Sequence, residues 1–409
     1  MKSLKIQRRM ISTLAKYHFF GNPSSRLKIV GVTGTNGKTT TATLLYEIAT
    51  ALGYKAGLIG TVENIIIKER REALRTTPNP INLNKLLTEM VEKGGEYVFM
   101  EVSSHALDQD RVAGVTFVGG IFTNLTHDHL DYHGSFENYF KAKKKFFEML
   151  PKRAFALSNI DDERGVDMCK GIKAHPFFYG FAKGDFEGEI KKTNFNGLKL
   201  AFNDIEIHSN LLGKFNAYNL LGVWSACSLL DFDMPRVNKI IESIEPPRGR
   251  FEHFVTSSGV LVIVDYAHTP DALENVLKTA REINSGIKPN EQSKIISIVG
   301  CGGDRDPIKR PIMGKIGAEL SDICIFTSDN PRSEDPEKII LEMKQGLSDE
   351  QLQRIKIIPD RREAIKESIK LANNGDIILC AGKGHETYQE IKGVKHHFDD
   401  MEELKKALN

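Results

Sequence analysis

Long apolar runs are missing from this 409-residue chain. No stretch reaches the about 18 uninterrupted apolar residues of a membrane-spanning helix, and the polar N-terminus has no apolar leader segment, so neither a membrane span nor membrane insertion is expected. A dominant charge is also missing. The 56 Lys and Arg face 54 Asp and Glu, and a net +2 argues against a nucleic-acid or membrane-surface partner and for a metabolite-sized substrate. Cysteine is scarce. Cys169, Cys227, Cys301, Cys324 and Cys380 have no paired spacing, which excludes a disulfide framework or a cysteine zinc site and suits a reducing compartment, the cytoplasm. Repeats and low-complexity tracts are absent. With 40% hydrophobic and 27% charged residues, the length suits two or three domains with true cores.

Short β-rich runs alternate with helical patterns. Strands are expected over 27–33, 56–58, 97–102 and 119–123, with helices from about Thr39 and near 82–91, which predicts βαβ units and a largely parallel sheet. At "PPRGR" (246–250) the helical pattern breaks, and a second series follows with strands over 260–265, 294–300, 323–328 and 376–380. The break reads as a hinge between two α/β domains, 27–247 and 248–409, preceded by a basic helix-like stub over 1–26. Between the two series, residues 186–207 alternate polar and apolar around Asn196-Gly197, the pattern of a hairpin.

"VGVTGTNGKTTTATLL" (30–45) runs from a strand through glycines and hydroxyls into a helix. Gly37, Lys38 and Thr39 fit the end of a phosphate loop, although Val32 stands where the usual first glycine would be and Gly34 supplies a glycine two residues later. Strand before and helix N-terminus after are what phosphate binding requires: free N–H groups and the helix dipole favour an anion there. The expected fold is therefore a central P-loop ATPase-like domain followed by a Rossmann-like α/β domain.

"TGTNGKTT" resembles the ATP loop of the Mur ligase family, the amino-acid-adding enzymes of peptidoglycan synthesis, and of relatives that extend folate with glutamate. The resemblance is carried further by "EVSSHAL" (101–107), "TNLTHDHLDYHG" (123–134), "NIDD" (159–162), "GKFNAYN" (213–219), "VDYAHTPDALE" (264–274), "GCGGDRD" (300–306), "SDNPRSEDP" (328–336) and "GKGHE" (382–386). Their order is that of members adding the third residue of the peptide, and together they span nearly the whole chain from residue 27.

The resemblance implies roles. ATP would lie on Gly34, Thr35, Asn36, Gly37, Lys38, Thr39 and Thr40, with Asn216 and Asn219 under the nucleotide and Arg250, Asp265 and His268 contributed by the second domain. Thr39, Glu101 and His129 would hold Mg²⁺. From the residues alone, the cluster His127, Asp128, His129, Asp131 and His133 suits an oxygen-preferring metal shared with ATP better than zinc. Lys143, in a charged run that by itself reads as a solvated helix face, aligns through Tyr139 with a lysine the family carbamylates, giving an anion able to orient Mg²⁺. Thr76, Thr77, Ser103 and Arg111 are candidates for the anionic first substrate. "DNPR" marks members that add meso-diaminopimelate: Arg332 offers a bidentate fork to the distal carboxylate with Asn330 beside it, Asp329 belongs to the same word, and Arg305, Gly382 and Glu386 complete the amino-acid site.

The implied reaction is an ATP-dependent ligation through an acyl phosphate, with Lys38, Glu101, His129 and Lys143 at its centre. Its partners would be small molecules, namely ATP, a UDP-muramoyl dipeptide and diaminopimelate, on a monomeric protein. One departure stands out: members usually carry an N-terminal domain of roughly one hundred residues, a common small-domain size, that binds the uridine diphosphate, whereas here the ATP loop begins near residue 31. Weak binding of that group, a partner supplying the site, or a different acceptor such as folate or another cell-wall or storage peptide would each answer it. A non-catalytic nucleotide-binding relative is the remaining alternative, disfavoured by intact Lys38, Glu101, His129 and Arg332.

Overall fold

The chain pairs a strand buried on both faces, β1 (Lys28–Thr33), with a helix that follows it after a four-residue loop, α1 (Lys38–Ala51). The computed structural model in which this is seen describes residues 20–126, 128–285 and 293–408. Most of the expected basic stub and His127 lie outside these residues. Two compact units are present. The first runs to Lys192 and includes Lys199–Asn210 and Lys214–Ile244; the second holds Thr193–Leu198, Leu211–Gly213 and the chain from Glu245.

The first unit's sheet adds to β1 the strands β2 (Ala56–Ile59), β3 (Glu63–Ile66), β4 (Glu69–Glu72), β5 (Tyr97–Glu101), β6 (Gly119–Phe122), β7 (Phe155–Asn159), β8 (His175–Gly180), β9 (Phe186–Asn194), β10 (Gly197–Phe202) and β11 (Ile205–Ser209). Their order is β11-β10-β9-β8-β7-β6-β1-β5-β2-β3-β4. The strands from β8 through β6, β1 and β5 to β2 are parallel, as the alternating pattern requires, and β3 and β4 close one edge antiparallel. The expected hairpin is β9–β10, with Phe195 and Asn196 between the strands. At the β4 edge, Glu63, Glu69 and Glu89 pair with Arg70, Arg71 and Lys93.

Two strand glycines set the position of the next helix, α2 (Phe136–Met149). A Cβ on Gly31 of β1 would stand 2.4 Å from the Phe146 ring, and one on Gly120 of β6 would stand 2.9 Å from it. Glycine at both places lets α2 ride close on the sheet, and Lys143, one turn before Phe146, is carried to the end of β1. Ser135 caps the helix by accepting from the Asn138 N–H at 3.2 Å.

In the second unit, β12 (Glu252–Val255), β13 (Leu261–Asp265), β14 (Ile295–Val299), β15 (Ile323–Phe326), β16 (Ile355–Ile357) and β17 (Ile377–Ala381) form a sheet in the order β12-β13-β17-β14-β15-β16. All neighbours are parallel except β12–β13. Apolar side chains on both faces feed two core clusters. The helices α3 (Arg361–Leu371) and α4 (Asp400–Leu408) start beside the end of β17. There Arg361, fully buried, donates to both carboxylate oxygens of Asp400 at 2.7 and 2.8 Å and to the Ala381 carbonyl at 3.0 Å. The five cysteines are free and buried. No helix among the described residues is long and apolar enough to cross a membrane.

Candidate functional site

In the first unit the candidate residues gather at the carboxyl ends of β1, β5 and β6, where ligands of open α/β sheets collect. Gly34 (φ 152°) and Gly37 (φ 83°) bend the loop after β1. A Cβ on Gly34 would fall 1.9 Å from the Thr123 hydroxyl, and one on Gly37 would fall 2.3 Å from the Asn219 amide oxygen, so a side chain at either place would displace a neighbour as well as strain the backbone. Thr35 N–H donates to the Asn124 carbonyl at 2.8 Å and Asn36 N–H to the Asn124 side chain at 2.9 Å, while the Thr123 hydroxyl donates to the Asn36 carbonyl at 2.6 Å. Gly37 caps α1 without any side-chain acceptor, and the N-terminus of that helix, with its dipole, faces the loop. Asn216 and Asn219 are brought beneath this loop and bond to each other at 3.1 Å.

Two lysines meet at one carbonyl. Lys38 Nζ donates to Gly34 O at 2.9 Å and Thr35 O at 2.6 Å, and Lys143 Nζ donates to Gly34 O at 2.6 Å. Lys143 is not on a solvated helix face: it is 1% exposed, under the Tyr139 ring. Burial, reinforced by the Lys38 charge, holds its ammonium well below the usual lysine range. His129 lies in the same neighbourhood with a left-handed backbone (φ 54°). Desolvation lowers its pKa, opposed by Asp128 and reinforced by Lys38 and Lys143, so the imidazole is neutral and able to act as a ligand.

Glu101, 1% exposed, ends β5 beside Val32 of β1. Its carboxylate accepts from Thr61 N–H at 2.7 Å and from the Thr61 hydroxyl at 2.9 Å. That hydroxyl also lies 3.1 Å from Thr76. Thr77, Ser103 and Arg111 converge next to it. The Thr77 hydroxyl, expected as a substrate donor, is instead fully buried and donates to the Glu101 carbonyl at 2.9 Å, while Ser103 N–H donates to it at 3.1 Å. Thr77 thus frames the site from within. Its carbonyl accepts from Arg111 Nη1 at 2.9 Å, and Gln109 holds the rest of that guanidinium at 2.7 and 3.1 Å. Thr61 and Gln109 escaped the sequence reading; Gln109 sits two residues from Arg111, while Thr61 has no local signal.

In the second unit Arg250, Asp265 and His268 form a group of their own around Tyr266. The Arg250 guanidinium lies 5.0 Å from the Tyr266 ring centre and the His268 ring 4.5 Å from it. Asp265 accepts from Phe251 N–H at 2.7 Å, and burial raises its pKa to about 6 against the pull of Arg250.

The amino-acid candidates share one rim, on the loops that follow β14, β15 and β17. Arg332 has a left-handed backbone (φ 51°), a conformation costly outside glycine and concentrated at functional sites. It is held there by its N–H to the Glu390 carbonyl at 3.0 Å and Nη1 to the Gly303 carbonyl at 2.7 Å. A Cβ on Gly302 would lie 2.9 Å from Arg332 Nη1 and 3.7 Å from Arg305, so both arginines border Gly302. A Cβ on Gly382 would meet the Asp329 carboxylate at 2.6 Å. Asn330 donates to Glu386 at 2.7 Å. Lys383, inside the quoted word "GKGHE" yet given no role from sequence, lies between them with no exposed surface.

Against known proteins, residues 32–227 match the Mur ligase middle domain and residues 249–384 the glutamate ligase domain of Mur ligases. The chain is 51% identical over 393 residues to the UDP-N-acetylmuramoyl-L-alanyl-D-glutamate--2,6-diaminopimelate ligase of Cytophaga hutchinsonii, covering 96% of this chain and 80% of that protein. The enzyme of the same name from Bacteroides thetaiotaomicron is also 51% identical, over 392 residues, with 96% and 80% covered. Among solved structures, a ligase of that name superposes with a TM-score of 0.68 at 33% identity, over 98% of this chain and 82% of the other. Folylpolyglutamate synthase from Thermotoga maritima shares the fold at 14% identity, with a TM-score of 0.69 over 92% and 90% of the two chains.

Proposed function

The chain belongs to the Mur ligase family, and from that membership we propose that it is an ATP-dependent ligase joining meso-diaminopimelate to UDP-N-acetylmuramoyl-L-alanyl-D-glutamate in peptidoglycan precursor synthesis. The observation that carries the reading is the pair of glycine-lined, cation-bearing loops: the ATP loop with Lys38 in the first unit, and the Asp329–Arg332 loop with its strained arginine in the second.

The acceptor's terminal carboxylate has no leaving group, so it takes the γ-phosphoryl group of ATP, giving an acyl phosphate and ADP. The free amine of diaminopimelate attacks the acyl carbon, the amide forms and phosphate leaves. Amides of residues 34–40 and Lys38 hold the phosphates, and their charge offsets the negative charge spread over the transferring group. Thr76, Ser103 and Arg111 hold the acceptor, with Thr77 and Gln109 bracing them. Arg332, Asn330 and Arg305 take the carboxylate groups of the amino acid, and Glu386 its distal ammonium.

The residues fit Mg²⁺. Glu101 presents a carboxylate braced by Thr61, Thr39 a hydroxyl in the first turn of α1, and His129 a neutral imidazole. Among the described residues no three His, Cys, Asp or Glu form a cage, and such a sparse, oxygen-rich set suits a cation that keeps water and phosphate oxygens as ligands. When bound, the metal supplies charge neutralisation at the phosphates. Lys143, whose burial disfavours the ammonium form, is suited to carbamylation, because only the free amine combines with carbon dioxide.

The test is phosphate release from ATP with the UDP-linked dipeptide and either diaminopimelate or lysine. Release that requires both acceptor and diaminopimelate is expected. Release independent of the amino acid, or preference for lysine, would overturn the reading.

A further inference from the structure

Resting on the reading above, we propose that Lys383 is a positioning residue of the amino-acid site: it sets the orientation of the Asn330 amide and keeps Glu386 an anion aimed at the incoming distal ammonium.

Lys383 follows β17 by one glycine and has no exposed surface, so its ammonium must be paired inside the protein. It donates to Asn330 Oδ1 at 3.1 Å and to Glu386 Oε2 at 3.3 Å. Asn330 Oδ1 also accepts from the Glu390 N–H at 2.9 Å. Two donors on that oxygen leave the amide a single orientation, with Nδ2 turned to Glu386 Oε2 at 2.7 Å. Glu386 therefore has both interactions on one oxygen. Among the described residues Oε1 takes no hydrogen bond, which leaves it for a ligand.

Charge points the same way. Burial, then Asp329, pushes the Glu386 carboxyl above its ordinary range, and Lys383 and Asn330 oppose them. Tyr266, which also faces it, is itself pushed up by burial and is neutral near pH 7. Asp329 therefore favours a protonated Glu386, and Lys383 is the cation that opposes it. A protonated Glu386 would attract an ammonium far less. Lys383 acts through Glu386 and Asn330, and no contact with substrate is required of it.

The test uses the full-length protein and steady-state kinetics across pH with Lys383→Met. KM for diaminopimelate is expected to rise about tenfold to a hundredfold, the range of a hydrogen bond to a charged group, with KM for ATP little changed. The acid limb of kcat/KM for diaminopimelate should move to higher pH, and Lys383→Arg should restore part of both. In a Glu386→Gln background, Lys383→Met should raise KM little further. Should the methionine variant fail to fold, Lys383→Gln, which keeps a donor for Asn330 without the charge, is read in the same way. Unchanged KM and acid limb, or equal losses for ATP and diaminopimelate with no pH shift, would overturn the inference. If the unaltered protein makes no amide from diaminopimelate, it is the reading of function that fails.

Discussion

Lys38 and Lys143, distant in sequence and on different helices, both donate to the carbonyl oxygen of Gly34, at 2.9 and 2.6 Å. Lys38 also donates to the Thr35 carbonyl at 2.6 Å, whereas burial and the Lys38 charge disfavour the ammonium form of Lys143. The arrangement favours an arriving anion at Lys38 and loss of charge at Lys143, the free-amine state that the proposed carbamylation requires.

Lys38→Met should lower kcat by about 10² to 10³, the cost of removing one donor from a preorganised oxyanion site, while binding of diaminopimelate alone stays unchanged. Steady-state kinetics together with calorimetric titration of the amino acid measure the two effects separately.

Lys143→Ala should abolish most activity, and short-chain carboxylic acids should restore part of it by standing in for the carbamate. Activity unaffected by the substitution would remove the carbamate from the mechanism.

The same lysine makes stability depend on pH. Its folded pKa lies below the unfolded value of 10.5, so between the two the unfolded chain binds a proton that the folded chain does not. Stability of the unmodified protein is then full above the ordinary lysine range and falls as pH drops toward the lowered value. Denaturant midpoints measured across alkaline pH should rise with pH, and Lys143→Met should flatten that rise.

Arg332→Lys should raise KM for diaminopimelate roughly tenfold to a hundredfold, because a point charge replaces a planar fork worth about 1.5–3 kcal/mol at a charged partner. KM for ATP should hold. Competition between diaminopimelate and lysine, read by mass spectrometry of the product, should show the preference narrowing.

Asp400→Ala leaves the buried Arg361 guanidinium without its counter-ion, and the penalty should be about 3–5 kcal/mol of stability. Denaturant unfolding would measure it, and a loss under 1 kcal/mol would show that water reaches the pair.

Much of this was legible in sequence where the signal is local. Strand-to-helix transitions and the glycine-rich words located the parallel sheets, the loop after Thr33 and the rim built by Asp329–Arg332. Contacts between distant segments were not legible. Lys143 sits in a run of lysines whose pattern reads as solvated, and only the glycines at 31 and 120, which let Phe146 approach, turn it inward. Thr77 and Thr76 are indistinguishable as letters, yet one is sealed beneath the Glu101 carbonyl. Lys383 is one letter in a motif, and its meaning depends on a loop that arrives from another strand.

The ionic lattice along β4 has a practical meaning for the isolated protein. Among the described residues β4 ends the eleven-stranded sheet; backbone groups at such a rim can template addition of a further chain, and alternating charges of both signs make that docking electrostatically unfavourable. Concentrated salt weakens such protection, so self-association in storage should begin at this rim and worsen with ionic strength.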